Sequence, residues 1–340
     1  MKEKLPLLIT MGDPNGVGPE ICLKLLAKKM KVTRPVAIVG DIEVLRRSAA
    51  LLNIKKTLVS VLNPEDVAAA SKKNIVVLES GVRFGEKERP GKVSKKAGAA
   101  SIGWVKASVQ WCLENRASAV VTAPLCKEAV EKTVPGFQGH TEYIGEMCGD
   151  PEPVLCLVHG NWVVAHISTH VSLIEACARV KQARIVKAGV LLHEFLCRYK
   201  QIKKPLIGVA GLNPHAGEHC LFGQEEMTEI TPAIKTLLKK KISVKGPLPA
   251  DVLFPQLKSG SFDGALAMYH DQGHVVTKTL LFNLGEKRKT QGVNTTLGLS
   301  VLRTSVDHGT GFDIAWQGLA DEQSLRDALE LADLLQREKP

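Results

Sequence analysis

A dense run of polar side chains, MYHDQGH, occupies residues 268–274. It places His270, Asp271, Gln272 and His274 directly after the apolar run FDGALA. Burying that many polar groups costs free energy unless protein partners or a ligand satisfy them. The run is therefore either a polar turn after a strand or part of a metal or substrate site at the end of a sheet.

Two other histidines occupy comparable positions, His170 in HISTHVS and His215 in GLNPHAGE. Imidazole is the commonest metal ligand in proteins, and three of them leave coordination positions open for a substrate. The wide spacing of His170, His215 and His270 matches no short zinc motif, so a structural role for each is the competing interpretation. All three lie where apolar runs end, which is where open α/β sheets bind their ligands.

Three further stretches offer sites for anions or tight turns. GHTEYIGE at 139–146 predicts a helix with Thr141 as its N-cap and His140 just before it; such an end can seat a phosphate or simply be an ordinary cap. Asn294 and Arg303 offer hydrogen bonds and a fixed positive charge to an anionic group. MGDPNGVGPE at 11–20 fits neither GxGxxG nor a Walker loop, and a tight strand-to-helix turn is sufficient to explain it.

Short apolar runs alternate with helical patterns along the chain, which is typical of a mostly parallel sheet covered by helices. The middle differs, because 153–169 reads as a hairpin with a tight HGN turn. Strands are predicted at 5–11, 35–40, 74–79, 118–124, 205–212 and 263–269, and helices at 19–30, 41–52, 94–114, 173–198, 224–240 and 321–338. The pattern predicts two α/β lobes, with the chain leaving the first, building the second and returning.

The composition of the 340 residues excludes several classes of protein. Aromatic residues make up 4%, which predicts an aliphatic core, and no run reaches the roughly 18–20 apolar residues of a membrane span. Eight cysteines without a CxxC pair, and no signal peptide, predict free thiols and a cytoplasmic location. The net charge of +10 favours anionic substrates, whereas no basic helix with interleaved aromatics indicates nucleic acid.

Seven motifs in order, MGDPNGVGPE, GHTEYI, LNPHAGE, GPLPAD, YHDQGH, GVNTTLGL and RTSVDHGT, closely resemble the 4-hydroxythreonine-4-phosphate dehydrogenase family. In addition, DHGTGFDIAWQGLAD resembles the adenosine-binding loop of isopropylmalate and isocitrate dehydrogenases. The resemblance implies a two-lobed, isopropylmalate-dehydrogenase-like α/β fold with the active site in the interlobe cleft. The cofactor lobe is expected at 1–135 and 296–340, and the lobe with the metal site and dimer interface at 136–295.

The resemblance also implies site residues and ligands. A divalent metal (Zn, Mg or Co) is expected on His170, His215 and His270, in a homodimer whose metal site is shared between subunits. NAD(P) is expected at His308, Gly309 and Asp313. Substrate contacts carry over to His140, Thr141, Lys278, Asn294 and Arg303. Lys278 is also expected to be catalytic, and Asp251 is a hypothetical proton-handling residue chosen on chemical grounds.

The implied reaction is oxidation of 4-phosphohydroxy-L-threonine to 2-amino-3-oxo-4-phosphooxybutanoate, which decarboxylates to 3-amino-2-oxopropyl phosphate in pyridoxine 5'-phosphate biosynthesis. Two departures keep an alternative open beside this first interpretation. The segment 279–293 is longer than expected, and His274 resembles a paralogous branch that acts on D-threonate or D-erythronate 4-phosphate. A phosphate acyltransferase of the same general fold is a remote alternative and would require all three histidines to be structural.

Overall fold

A computed structural model of the chain describes residues 4–85, 90–150, 152–281 and 292–337. The strands are β1 Leu7–Thr10, β2 Val36–Val39, β3 Leu58–Val61, β4 Ile75–Leu78, β5 Ala119–Thr122, β6 Val154–His159, β7 Trp162–His166, β8 Ile207–Ala210, β9 Val244–Leu248, β10 Gly264–Ala267, β11 Val293–Leu297 and β12 Arg303–Val306. The helices are α1 Gly18–Ala27, α2 Ile42–Leu51, α3 Val67–Ala70, α4 Lys95–Leu113, α5 Lys127–Glu131, α6 His140–Cys148, α7 Leu173–Ala178, α8 Gln182–Lys200, α9 Thr231–Lys239, α10 Ala250–Lys258, α11 His270–Leu281 and α12 Gln323–Arg337. The described residues form two compact units, described separately below.

The first unit comprises residues 4–85, 90–150, 292–293 and 299–337. Its strands lie in the order β3-β4-β2-β1-β5-β12, and every pair between them is parallel. Strands β1, β2, β4 and β5 are buried at every position, as expected for a parallel sheet with helices on its faces. The carboxyl ends of these strands therefore lie along one edge, where open α/β sheets bind ligands.

The second unit comprises residues 152–281 and 294–298. Its strands follow the order β11-β6-β7-β10-β8-β9. β6 and β7 pair antiparallel, and β7, β10, β8 and β9 pair parallel. A core cluster that includes Trp162, Phe254 and Phe262 packs α10 against this sheet. From the sequence, the boundaries between the two lobes were expected after residues 135 and 295. In the structure, the boundaries between the two units lie after residue 151 and around residues 294–298.

The sequence predicted the local structure where capping residues and apolar runs are clear. Asp41 caps α2 by accepting from the backbone N–H of Glu43 and Val44, and Ser94 caps α4 through Ala97 N–H. The hairpin expected within 153–169 is confirmed as β6 and β7. These features depend on neighbours in the chain, so the sequence alone indicates them.

Two local predictions are wrong, and a third is right except for the type of its first helical turn. The helix expected over 173–198 is divided into α7 and α8, because Arg179–Lys181 leaves the helix and Lys181 is extended. The helix expected over 224–240 begins with a π-helical turn, Glu226–Ile230, before α9. Thr141 is not an N-cap, since the N-cap of α6 is Gly139, two residues earlier, and the Thr141 hydroxyl bonds to Arg303 instead.

The eight cysteines are all free thiols, as their scattered spacing predicted. Burial raises the pKa of the Cys22 and Cys156 thiols, which keeps them protonated in the core. Within the described ranges, none of the helices combines the length and apolar character that crossing a bilayer requires.

Candidate active site

The polar run after β10 forms the start of helix α11, rather than a turn. His270, His274 and Lys278 follow one another at intervals of four residues and therefore share one face of this helix. The His270 and His274 rings stack with centroids 3.7 Å apart. The helix thus presents two imidazoles and an ammonium group along a single line.

The remaining residues of the run hold this face in place. Gln272 is buried; its Oε1 accepts from Met268 N–H at 2.7 Å, and its Nε2 donates to the Gly211 carbonyl at 2.8 Å. These bonds join α11 to the ends of β10 and β8. A side chain at Gly273 would place a Cβ 2.3 Å from Nε2 of His166, so only glycine fits there. The run is therefore neither a simple turn nor a row of ligands, because Gln272 and Gly273 hold in place the helix face that carries His270 and His274.

His170 lies next to this face, with its ring centroid 5.6 Å from that of His270. Both histidines line a cavity of about 300 Å³, together with Ser168, Tyr269 and Asp271. The Asp271 carboxylate accepts a hydrogen bond from Nδ1 of His270 at 2.7 Å, which leaves Nε2 of His270 as a lone-pair donor. A carboxylate on the far nitrogen is the usual partner of a metal-binding histidine.

His215 occupies a separate position, in the loop that follows β8, where its ring lies 6.1 Å from that of Phe222. His170 and His215 both have left-handed backbones, with φ of 35° and 53°. Such strain in non-glycine residues concentrates at functional sites. Over the described ranges, no three His, Cys, Asp or Glu side chains are grouped closely enough to hold a metal ion. The chain thus brings His170 and His270 together and leaves His215 apart from them.

A second cluster, in the first unit, surrounds Arg303 at the start of β12. The guanidinium is buried and donates to the Thr122 hydroxyl at 2.8 Å through Nη2 and to the Thr141 hydroxyl at 3.3 Å through Nη1. Burial lowers its pKa to about 10, while the nearby Glu142 carboxylate opposes that shift. A buried guanidinium bonded to two hydroxyls is an arrangement that an anionic ligand would stabilise further.

His140, the first residue of α6, belongs to the same cluster. Its Nε2 atom is buried without a hydrogen-bond partner among the described residues. Burial lowers its pKa well below the usual value, and the positive charges of Arg303 and Lys127 lower it further. The imidazole is therefore neutral near pH 7, with Nε2 available to a ligand.

Replacement of His140 by glutamine tests this burial through the pH dependence of stability. The unfolded chain binds a proton on His140 below about pH 6.5, whereas the folded protein does not, so the free energy of unfolding falls as pH decreases. For one such group the loss is about 1.4 kcal/mol per pH unit. Urea unfolding between about pH 6.5 and pH 5 should show a shallower loss for His140→Gln. Equal slopes in the two proteins would contradict a neutral buried His140.

The segment predicted to bind the cofactor forms an irregular loop at 307–320, against the glycine-rich turn at 11–20. Val17 N–H donates to the Thr310 carbonyl at 2.8 Å, and the Trp316 indole donates to the Pro14 carbonyl at 3.1 Å. A Cβ on Gly16 would lie 2.8 Å from the Thr310 carbonyl. The glycine-rich turn therefore serves as the surface against which the 307–320 loop packs.

Two of the three predicted cofactor residues lie on the outer side of this loop. His308 is half-buried, whereas Gly309 and Asp313 are exposed. No heavy atom lies within 4 Å of the position that a Cβ on Gly309 would occupy, and the backbone there needs no positive φ. The position is thus open to a ligand and equally able to accept a side chain.

Replacing Gly309 by valine should leave the melting temperature within a degree or so, because the new side chain meets no protein atom. If NAD(P) binds here, the same side chain occupies its space, and we expect KM for the coenzyme to rise by about tenfold or more. Coenzyme titration at saturating substrate measures this. An unchanged coenzyme KM would remove Gly309 from the cofactor site.

The other predicted residues are placed as follows. Asn294 is half-buried at the second position of β11, and Lys278 is half-buried on α11, where its charge helps lower the pKa of His274 to about 3 after the larger effect of burial. Asp251 is exposed at the start of α10 and makes no hydrogen bond or ion pair with the described residues. The 279–293 segment falls mostly on residues 282–291, which lie outside the described residues.

Sequence reasoning did not single out His166, Thr122 or Glu226. His166 is fully buried, with its ring 4.7 Å from that of His274, and burial together with His274 lowers its pKa well below the usual value. Its position four residues before His170 in HISTH was the available signal. Thr122 carried no signal, because nothing local to β5 indicates a distant arginine.

Comparison with known proteins gives matches along nearly the whole chain. A family model described as pyridoxal phosphate biosynthetic protein PdxA matches residues 31–332. The D-threonate 4-phosphate dehydrogenase of Cupriavidus necator is 39% identical over 97% of this chain and 97% of its own length. The 4-hydroxythreonine-4-phosphate dehydrogenase of Desulforapulum autotrophicum is 36% identical over 98% of this chain and 96% of its own.

Among solved structures, the 4-hydroxythreonine-4-phosphate dehydrogenase of Klebsiella pneumoniae matches with a TM-score of 0.83 and 37% identity. The match covers 98% of this chain and 100% of that one. The α/β, isopropylmalate-dehydrogenase-like fold expected from the sequence is thereby confirmed.

Proposed function

We propose that this chain oxidises a four-carbon hydroxy acid phosphorylated at its fourth carbon, because it belongs to the PdxA family of pyridoxal phosphate biosynthetic proteins and the relatives named above are dehydrogenases. D-threonate 4-phosphate is the proposed substrate, and NAD(P) is the proposed hydride acceptor. The buried Arg303, held by Thr122 and Thr141 beside the neutral His140, is the observation that carries this proposal, since it suits a phosphate or carboxylate.

The chain's residues have separable roles in this reaction. Arg303 and Thr141 bind an anionic end of the substrate, and His140 offers an uncharged hydrogen-bonding nitrogen. His170, His215 and His270 would hold a divalent metal, whose Lewis acidity lowers the pKa of the reacting hydroxyl and favours loss of carbon dioxide from the 3-oxo acid. Asp271 fixes the orientation of His270, and Lys278 supplies positive charge on the same helix face.

The donor set suits such a metal in type. Each ligand is an imidazole, one has its far nitrogen bonded to a carboxylate, and two have strained backbones. Of these three histidines, only His170 and His270 have neighbouring rings among the residues that the structure describes. We therefore include a homodimer in the proposal, with the third imidazole supplied across a subunit interface. Light scattering should give a mass twice the chain's 36.8 kDa.

Two observations support the threonate over the amino acid. The relative from Cupriavidus necator is named for D-threonate 4-phosphate. In addition, the α11 face presents Lys278 and imidazoles, and its one carboxylate, Asp271, is bonded to His270. A hydroxyl at the second carbon meets no charge repulsion from such a face, whereas an ammonium group does. 4-Phosphohydroxy-L-threonine is the second candidate, because the relative from Desulforapulum autotrophicum carries that name.

The test is NAD and NADP reduction with each substrate, in the presence and absence of a divalent metal. We expect metal-dependent turnover with a higher kcat/KM for D-threonate 4-phosphate. A higher kcat/KM for the amino acid would select the biosynthetic reaction instead. Turnover of neither substrate would reject the proposed oxidation and return the phosphate acyltransferase alternative to consideration.

A further inference from the structure

The loop at 211–220, called here the His215 loop, has an unusual backbone. Five of its non-glycine residues have positive φ of 40–73°, namely His215, Ala216, Glu218, His219 and Cys220. Each such residue costs on the order of 1 kcal/mol relative to an ordinary conformation. A loop with this much local strain keeps its shape only if contacts from elsewhere in the protein hold it.

The side chain that supplies these contacts is Glu226. Its carboxylate is buried, and Oε1 accepts from the backbone N–H groups of Leu212 and Asn213, each at 2.8 Å. Its Oε2 accepts from Nδ2 of Asn213 at 2.9 Å. A Cβ on Gly217 would lie 2.7 Å from Oε2, so the chain needs glycine there to pass so near the carboxylate. One side chain thus contacts both ends of the turn that carries His215, through hydrogen bonds at residues 212–213 and through close packing at Gly217.

Glu226 is itself firmly placed. It is the first residue of the π-helical turn Glu226–Ile230, which continues into α9 and ends on the fully buried Ile230. Single π-helical turns are rare and often occur at functional sites. From the opposite side, Gln272 of α11 donates to the Gly211 carbonyl, which ties the same loop to the helix that carries His270. Buried bonds therefore connect the His215 loop to both α9 and α11.

We propose that Glu226 is a positioning residue that presents His215 for metal binding. The inference rests on the proposed function, because it takes His215 as a metal ligand. Glu226 acts through the loop backbone and touches neither substrate nor metal. A purely structural glutamate would affect stability alone, whereas a positioning residue changes metal affinity by way of His215.

The test compares Glu226→Gln with Glu229→Gln by calorimetric titration of the purified protein with a divalent metal. Glutamine keeps one oxygen acceptor but turns an amide donor towards the Asn213 donor, so the loop loses support. We expect metal affinity to fall about tenfold, with the coenzyme KM unchanged. Glu229 lies on the same turn, and among the described residues its carboxylate bonds only to Lys181 and Gln182 at the surface, so its variant should match the parent.

A double variant separates positioning from general damage to the fold. If Glu226 acts through His215, adding Glu226→Gln to His215→Ala should lower metal affinity no further. Unchanged affinity in Glu226→Gln, or a further loss in the double variant, would overturn the inference. Parent-like affinity in His215→Ala would overturn the ligand assignment of His215 itself, and with it this inference, so the two failures are distinguishable.

Discussion

His215→Ala should lower kcat/KM by about a thousandfold and abolish the stimulation of turnover by divalent metal. Three imidazoles are the minimum expected set, and removing one should weaken metal binding enough that the site is empty at metal concentrations that saturate the parent. A divalent metal at the proposed site would act as a Lewis acid and contribute several kcal/mol to the transition state, which corresponds to a loss of this size. Steady-state kinetics across a metal titration measures the effect.

The chain contains a matched control for this variant. His219 lies four residues later in the same loop, is exposed as His215 is, and has a φ of 54° against 53°. His219→Ala therefore removes an exposed imidazole from a backbone position of the same conformation in the same loop, without removing a proposed ligand. We expect parent-like kinetics. Equal losses in both variants would show that the loop, and not the His215 ring, is what the reaction needs.

Arg303→Met should raise the substrate KM by about thirtyfold or more, while the ligand-free protein stays as stable as the parent. Truncating a buried charged partner of an anion costs about 2–5 kcal/mol of binding. Stability should not fall by a similar amount, because burial already disfavours this guanidinium and lowers its pKa to about 10, and the Thr122 and Thr141 hydroxyls can rotate towards other partners when it is removed.

Arg184→Met is the control for Arg303. The Arg184 guanidinium donates to three backbone carbonyls, those of Glu152, Pro153 and Ile167, at 2.7–3.0 Å. Its loss leaves these carbonyls without their donor, so the melting temperature should fall while the substrate KM stays unchanged. Arg303→Met should thus raise the substrate KM without lowering stability, whereas Arg184→Met should lower stability without changing the substrate KM. An unchanged KM in Arg303→Met would remove Arg303 from the substrate site.

The sequence by itself determined the features that depend on neighbouring residues. The apolar runs at β1, β2, β4 and β5, and the caps at Asp41 and Ser94, indicated alternating strands and helices, because period and capping are local properties of the chain. The ordered motifs indicated the family. They also indicated which histidines and which arginine to examine.

Only the tertiary structure decided how those residues are supported. Thr122 meets Arg303 across 181 positions of chain, and Gln272 meets Gly211 across 61. The strain at His215 and its support by Glu226 also arise from packing between segments. Such contacts depend on which strand ends are neighbours in a folded sheet, and no local pattern encodes that. The sequence therefore identified the chemical groups, and packing between distant segments determined their positions.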